Sequence, residues 1–356
     1  MIYICPKCSG EGVLYIPTNE VAGFKLIPTN IMDCTVNGFK TDMGTATKHI
    51  TETNEKAKEF LESYTRYSAI RTYLRTFIDG IARGLDKDNF IHPQFMQCVT
   101  ATGRLSSRNP NFQNMPRGNT FPVRKAIVSR FLNGFILEGD YRQLEFRVAG
   151  FLSKDKQVYK DVKNNVDVHQ YTADTMNVTR QEAKAHTFKP LYGGVLGTPK
   201  EMRYYEAFKN KYWQVNNWHY KLQKEAVSTK KIALPSGREY AFPEARWTQY
   251  GNVTNSTAIK NYPVQGFATA DLLPLALVSL SAIMERNDMK SVICNTVHDS
   301  IILDVHPNEK NACVDYLRLA MLSIKDECKK RYNIDYDMPI DIELKLGDNW
   351  LETEEI

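Results

Sequence analysis

The stretch Thr102-Gly103-Arg104-Leu105-Ser106-Ser107, running on through Asn109-Pro110-Asn111-Phe112-Gln113-Asn114, decides how this chain is read. An arginine stands between small residues, and a polar run rich in Asn and Gln follows a proline break. Planar amides and a guanidinium gathered in one loop suit minor-groove acceptors and sugar oxygens, which look alike at every base pair. By itself the stretch is equally a polar loop. Three further segments change the balance.

In Leu137-Glu138-Gly139-Asp140-Tyr141-Arg142-Gln143-Leu144-Glu145-Phe146-Arg147, the preceding apolar run Phe135-Ile136-Leu137 predicts a buried strand that ends on a carboxylate, Asp140. Leu144 and Val148 then open an amphipathic helix with Glu145 on its flank. In Val297-His298-Asp299-Ser300-Ile301-Ile302-Leu303-Asp304-Val305, apolar residues on both sides of His298-Asp299 predict a hairpin with a polar pair at its turn. A lone Asp at a strand end is most simply a helix cap. Two such residues, Asp140 and Asp299, each at the end of an apolar strand, predict a magnesium site. This hard cation takes oxygen ligands and keeps waters and phosphate oxygens. In the last segment, Arg180, Lys184, Phe188 and Tyr192 recur every four residues, so a helix would align them in one stripe. Two cations followed by two aromatic rings suit a nucleoside triphosphate lying lengthwise; the plainer alternative is a solvated basic face. Pro190 predicts a kink, because it frees the carbonyl of His186.

In this order the four segments resemble the motifs of family A DNA polymerases, the bacterial polymerase I kind: T-G-R-L-S-S…P-N-L-Q-N, D-Y-S-Q-I-E-L-R (motif A), R-x3-K-x7-Y-G (motif B) and H-D-E (motif C). Asp167-Val168-His169 resembles the family's D-I-H, and Asn261-Tyr262-Pro263-Val264-Gln265-Gly266 its N-A-P-M-Q-G. Gly347-Asp348-Asn349-Trp350 resembles its closing G-x-N-W, read as a structural end-cap. The resemblance runs from about Thr41 to the C-terminus. Three departures stand out: Arg142 replaces Ser, Ser300 replaces Glu, and Thr257 replaces Arg. Lys189-Pro190 resembles phage members more than bacterial ones.

The resemblance implies an α/β (α+β) right-hand fold, with a palm of antiparallel sheet and helices, helical fingers and a reduced thumb. In those terms residues 1–85 are an N-terminal segment and thumb remnant, 86–147 the first part of the palm, 148–256 the fingers and 257–356 the second part of the palm. It implies a template-directed DNA polymerase core that adds dNTPs to a primer 3′-OH with two magnesium ions on Asp140, Asp299 and the Tyr141 carbonyl. His169, Arg180 and Lys184 would hold the triphosphate, with Lys184 also protonating the leaving group. Phe188 and Tyr192 would pack on the nucleotide, Gln143 would complete its pocket, and Glu145 would block a ribose 2′-hydroxyl. Arg104, Asn111, Gln113, Asn114, Asn261, Gln265 and His298 would contact primer–template DNA. With no long thumb helices or exonuclease-like region in the sequence, a separate polypeptide carrying both is the partner expected against residues 1–85.

Composition bounds the rest. A chain of 356 residues holds two or three compact units, and 42% hydrophobic with 24% charged residues is ordinary for a globular protein. Net charge is only +5, so a nucleic-acid groove must rest on local cations. Seven scattered cysteines point to a reducing compartment. The absence of a leader or of an apolar run long enough for a bilayer predicts a cytoplasmic protein with no membrane partner, in the host cytoplasm if phage-encoded. Cys5 and Cys8 form half a zinc knuckle, with Cys34 and His49 as further candidates; two free thiols is the better reading, since a closed site needs four ligands. Apolar spacing predicts helices over Glu55–Ile81, Asp271–Met284 and Ala312–Lys329, a mainly helical region over 150–256, and short strands before the Thr102 loop. Two rival functions remain: a catalytically weakened, polymerase-like DNA-binding subunit, favoured by Ser300, Arg142 and Thr257, and a single-subunit RNA polymerase relative, which would lack the Thr102 loop and Glu145.

Overall fold

The computed structural model describes residues 55–194 and 197–356, together with the backbone of four short N-terminal strands, Ile2–Ile4, Val13–Tyr15, Cys34–Thr35 and Gly38–Phe39. The chain divides into two compact units, Met1–Ile91 and His92–Ile356. Cys5, Cys8, His49 and the side chain of Cys34 lie outside the described residues, and the zinc expectation with them. In the first unit the expected helix runs further than its apolar spacing indicates. Glu55–Tyr73 continues through a π-helical turn, Leu74–Ile78, into Asp79–Gly84, and Leu85 leaves it in extended conformation.

The second unit is built on a five-stranded, wholly antiparallel sheet. Its strand order is Val292–Val297, Ser300–Val305, Phe135–Tyr141, Ile342–Gly347, Thr353–Glu355. Ile136, Leu137, Ile301, Leu303 and Leu344 are buried in it. Gly139 lets a helix close on the central strand: a Cβ there would stand 2.6 Å from the Met321 sulfur, on the Lys310–Leu322 helix. Helices Leu144–Ser153, Lys156–Lys163, Val168–Met176, Pro199–Lys211 and Trp213–Thr229 form the middle region around a core of Tyr204, Tyr205, Phe208 and Tyr212. That region also holds a hairpin, Lys231–Ala233 with Glu239–Ala241, which the periodicity does not reveal because each strand has three residues.

Three helix expectations need correction. The apolar helix starts at Ser256, not Asp271, and runs to Arg286 through a π-helical segment, Gly266–Leu272. Pro263 lies one turn before that segment and lacks the N–H a regular ladder needs. This 31-residue helix is long and apolar enough by composition to cross a bilayer, contrary to the sequence reading, yet 56% of its most apolar window is buried inside the protein itself. The helix expected over Ala312–Lys329 is two, Lys310–Leu322 and Ile324–Tyr332, broken at Ser323. The stripe from Arg180 to Tyr192 is not one regular helix either. Arg180–Ala183 is α-helical, tight turns follow, and Pro190–Tyr192 is a 3₁₀ turn. With Pro190 unable to donate, the His186 carbonyl accepts from the Lys189 N–H at 3.1 Å, and the chain tightens into i→i+3 bonds.

Candidate active site

The sheet register brings the two aspartates together. Asp140 lies at the end of the central strand, directly opposite Ser300, and the Tyr141 N–H donates to the Asp299 carbonyl at 3.3 Å. The intervening turn needs His298 in the left-handed region, φ 58°, an uncommon conformation for a residue with a side chain. Burial holds both carboxyls above the ordinary carboxylate range. The next cause is Asp299 for Asp140 and Glu145 for Asp299, while Arg117 pulls both down. Two buried like charges favour any divalent cation that enters, which is the electrostatic test a magnesium site should meet. No three His, Cys, Asp or Glu side chains converge on a metal position among the described residues. The protein would thus supply two carboxylates and main-chain oxygen, leaving the remaining positions to water and phosphate. The Tyr141 ring is spent in the core, its hydroxyl donating to the Met321 carbonyl at 2.7 Å, so only its main chain can serve the site.

Position 300 contributes no acid. Ser300 is fully buried, and its hydroxyl donates to the Val297 carbonyl at 3.0 Å, tying the hairpin closed. On the other side of the row, Glu343 stands opposite Asp140.

The Thr102 loop is held by backbone constraints that its composition does not show. Gly103 has φ 83°, and a Cβ there would lie 2.5 Å from Arg238, which is itself clamped to Asp271 at 2.8 Å. Gly266 admits the Tyr240 hydroxyl, 1.7 Å from where a Cβ would stand, and that hydroxyl donates to the Thr102 carbonyl at 2.9 Å. Arg104 then turns inward, donating from Nε to the Thr269 hydroxyl at 2.9 Å and pairing through Nη2 with Glu145. A cleft of about 200 Å³ is lined by Arg104, Asn111, Gln113, Asn114, Thr269 and His298, among others. Within it, Gln113 donates to the Thr296 carbonyl at 3.1 Å, and Asn111 accepts from the Gln113 N–H. Burial and then the neighbouring Arg104, Arg117 and Arg124 lower the His298 pKa. Gln265 lies one turn before Thr269 and outside the cleft lining. Asn261 is further off, with a buried Oδ1 that lacks a hydrogen-bond partner.

A second group assembles around Asp167. Asp167 caps the Val168–Met176 helix, accepting from the His169 and Gln170 N–H groups, and its other oxygen accepts from Arg180 Nε at 2.7 Å. Thr179 and Glu182 form a capping box that starts the Arg180 turn. His169 Nδ1 lies 3.0 Å from the Thr187 hydroxyl, whose own proton goes to the Ala183 carbonyl. His169 is therefore the donor in that contact, and a phosphate at Nε2 would require a second proton. Burial first, with Arg180 and Lys184 adding, lowers the His169 pKa. Phe188 meets His169 edge-on at 5.3 Å and Phe146 at 5.8 Å, which places it over the helix carrying Glu145. Lys184 is exposed, and Tyr192 packs half-buried on the core. Arg180, Lys184, His169 and Phe188 thus converge although the stripe is broken. Gln143, left-handed at φ 55°, and Arg180 both line a cleft of about 740 Å³.

Sequence reasoning missed several contributors. Asp167 entered only through the resemblance of Asp167-Val168-His169, not as the clamp on Arg180, whereas Arg117, Thr187, Tyr240 and Thr269 carry no local signal. Trp350 is a structural anchor, as expected: its indole N–H donates to the buried Glu138 at 3.0 Å, and Arg124 lies over its ring at 3.9 Å.

The sequence profile of DNA polymerase family A matches residues 29–352. The chain is 30% identical over 313 residues to DNA polymerase I of Lactococcus lactis subsp. lactis, covering 81% of this chain and 34% of that protein. It is 30% identical over 346 residues to the thermostable DNA polymerase I of Thermus aquaticus, covering 89% of this chain and 39% of the other. The chain thus spans between a third and two fifths of those relatives' length. Among solved structures, the polymerase domain of Pol1 from M. smegmatis, in complex with DNA primer–template and dNTP, superposes with a TM-score of 0.75 at 23% identity. The match covers 89% of this chain and 57% of that one. The fold is accordingly the right-hand polymerase fold, mixed helix and antiparallel sheet. With the profile spanning nearly all of its length, the chain belongs to DNA polymerase family A.

Proposed function

We propose that this chain is a template-directed DNA polymerase core, adding dNTPs to a primer 3′-OH in replication of a bacterial or phage genome in the cytoplasm. The observation that carries the proposal is the buried Asp140–Asp299 pair, with Arg104 and Glu145 among the charges that act on it; Arg180 and Lys184 gather separately around His169. In this reading residues 86–147 and 257–356 are the palm, 148–256 the fingers and 41–85 the thumb remnant. Asp140, Asp299 and the Tyr141 main chain would hold two magnesium ions, which when bound supply the charge that steadies the attacking and leaving oxygens. The protein's own part is positioning and charge neutralisation. Arg180 and Lys184 bind the triphosphate, with Lys184 placed to give its proton to the pyrophosphate. Phe188 and Tyr192 pack on the nucleotide, Glu145 closes the space beside the sugar 2′ position, and Arg104 with the Asn111–Asn114 amides takes the minor groove at the primer end. A partner bearing exonuclease and thumb-like helices, seated on the Glu55–Gly84 helix, belongs to the same proposal.

Primer extension with purified protein tests it. Asp140→Ala and Asp299→Ala should each abolish extension while primer–template binding survives, because phosphate contacts elsewhere supply most of the affinity. Near parental extension by either variant overturns the assignment. A single-hit assay with a heparin trap tests the partner: long products from the chain alone exclude a need for one.

A further inference from the structure

We propose that Arg142 is a phosphate ligand, receiving the terminal phosphate of the incoming nucleoside triphosphate and then the departing pyrophosphate. This inference rests on the polymerase reading above and extends it to a residue for which the resembling motif has a serine.

Arg142 follows Tyr141 at the end of the strand that carries Asp140. Its guanidinium is 2.6 Å from Glu355, 3.6 Å from Asp341 and 3.9 Å from Glu343, the residue opposite Asp140 in the sheet. It lines the cleft of about 740 Å³ together with Gln143, Arg147, Lys163, Asp167 and Arg180. That lining holds four cations (Arg142, Arg147, Lys163 and Arg180) and two carboxylates, Asp167 and Asp341; Glu343 and Glu355 beside Arg142 balance the rest, so an anion enters by displacing a carboxylate from an arginine. Arg147 is committed to structure, since it is buried and donates to the carbonyls of Arg142 at 2.7 Å and Pro339 at 2.6 Å. The other lining cations are Arg142, Lys163 and Arg180. The cleft thus joins Arg142, two residues after Asp140 in the chain, to Arg180, a triphosphate cation in the reading above.

The resting partners of both arginines are easily exchanged. The Arg142 side chain is 45% exposed and that of Glu355 56%; Asp167, which holds Arg180, is 41% exposed. Solvent-exposed pairs of this kind contribute little to stability. A terminal phosphate offers more charge and accepts two parallel N–H bonds from the planar guanidinium. As the primer 3′-hydroxyl gives its proton to water and its oxygen bonds to the α-phosphorus, the bond from that phosphorus to the bridging oxygen breaks and its electron pair passes to the pyrophosphate. Charge therefore grows on the group Arg142 faces, while Arg142 itself transfers no proton.

Opposite-sign variants test the proposal in a primer-extension assay in which the parent first shows extension; a parent that never extends refutes the polymerase reading instead. Steady-state KM for dNTP and inhibition constants for pyrophosphate and for a dNMP are measured for the parent, Arg142→Ser, Arg142→Lys and Glu355→Gln. Arg142→Ser should raise the dNTP KM and the pyrophosphate constant about tenfold, the scale of a lost charge-assisted hydrogen bond, and leave the dNMP constant unchanged. Arg142→Lys should recover part of the loss. Glu355→Gln releases Arg142 from its resting partner and should lower both constants about two-fold. If the pair is only a structural tie between strand end and C-terminus, Arg142→Ser and Glu355→Gln shift the constants in the same direction, which overturns the proposal. An unchanged pyrophosphate constant in Arg142→Ser does the same. Should Arg142→Ser fail to fold, the opposed shifts of Arg142→Lys and Glu355→Gln decide alone.

Discussion

The pair formed by Arg104 and Glu145 ties the loop that would read the primer end to the helix that would police the sugar, and its removal can be worked through from the structure. Their side chains are 26% and 18% exposed, so neither is well hydrated. Replacing one by alanine strands the other: Arg104 keeps only the Thr269 hydroxyl, and Glu145 keeps no cation in contact. Each single change should cost about 1.5–3 kcal/mol, the usual loss when a charged hydrogen-bonded group loses its partner. The second change then removes a group already stranded, so a double-mutant cycle should show a coupling of about 1–2 kcal/mol. The single variants should melt about 3–5 °C below the parent. The assay is thermal unfolding of the DNA-free protein for the parent, Arg104→Ala, Glu145→Ala and the double variant. Burial raises the Glu145 pKa by more than Arg104 lowers it, so the folded state takes up this proton more readily than the unfolded chain. The stability this proton contributes is present at low pH and lost as pH rises through the raised pKa. Lowering pH from neutrality toward the ordinary glutamate range should therefore stabilise the parent relative to Glu145→Gln. Losses that add to within about 0.3 kcal/mol would refute the coupling, and an opposite pH trend would refute the electrostatic account of Glu145.

Two other outcomes are expected. Glu145→Ala should raise ribonucleotide incorporation strongly relative to deoxyribonucleotide, since it opens space over the helix that Phe188 contacts through Phe146; equal rNTP/dNTP ratios for parent and variant would remove the steric-gate role. Gly266→Ala should destabilise by about 1–3 kcal/mol, because its methyl group would meet the Tyr240 hydroxyl. Adding Tyr240→Phe should recover part of that loss, and a Gly266→Ala protein as stable as the parent would show that the helix shifts freely there.

Much of the site was legible because its chemistry is written in short runs. Phe135-Ile136-Leu137 before Asp140, and apolar residues on both sides of His298-Asp299, follow the alternation and burial that make strands, so the two carboxylates could be assigned to strand ends from local pattern alone. The helix from Glu55 was readable for the same reason, since periodicity is a property of neighbours in sequence. The course of Arg180 to Tyr192 was not. Spacing by four allows a helix, but Pro190 removes one N–H, and the tighter turns win because Thr187 is held from outside the segment, its hydroxyl by His169 and its carbonyl by the Tyr204 hydroxyl.

The sequence by itself determined the residue types of the site, their order, the strand endings and the family to which they belong. Tertiary structure alone decided which of them meet. It folded Ser300 back onto Val297 rather than into the site, set Glu343 beside Asp140 across the sheet, and turned Arg104 onto Glu145. It also placed Arg142 and Arg180 in one cleft. The Ser300–Val297 bond apart, these pairings join residues from about 40 to just over 200 positions apart. Sheet register, helix approach at Gly139 and Gly266, and the burial that shifts each carboxyl exist only once the chain has closed, and no local pattern encodes them.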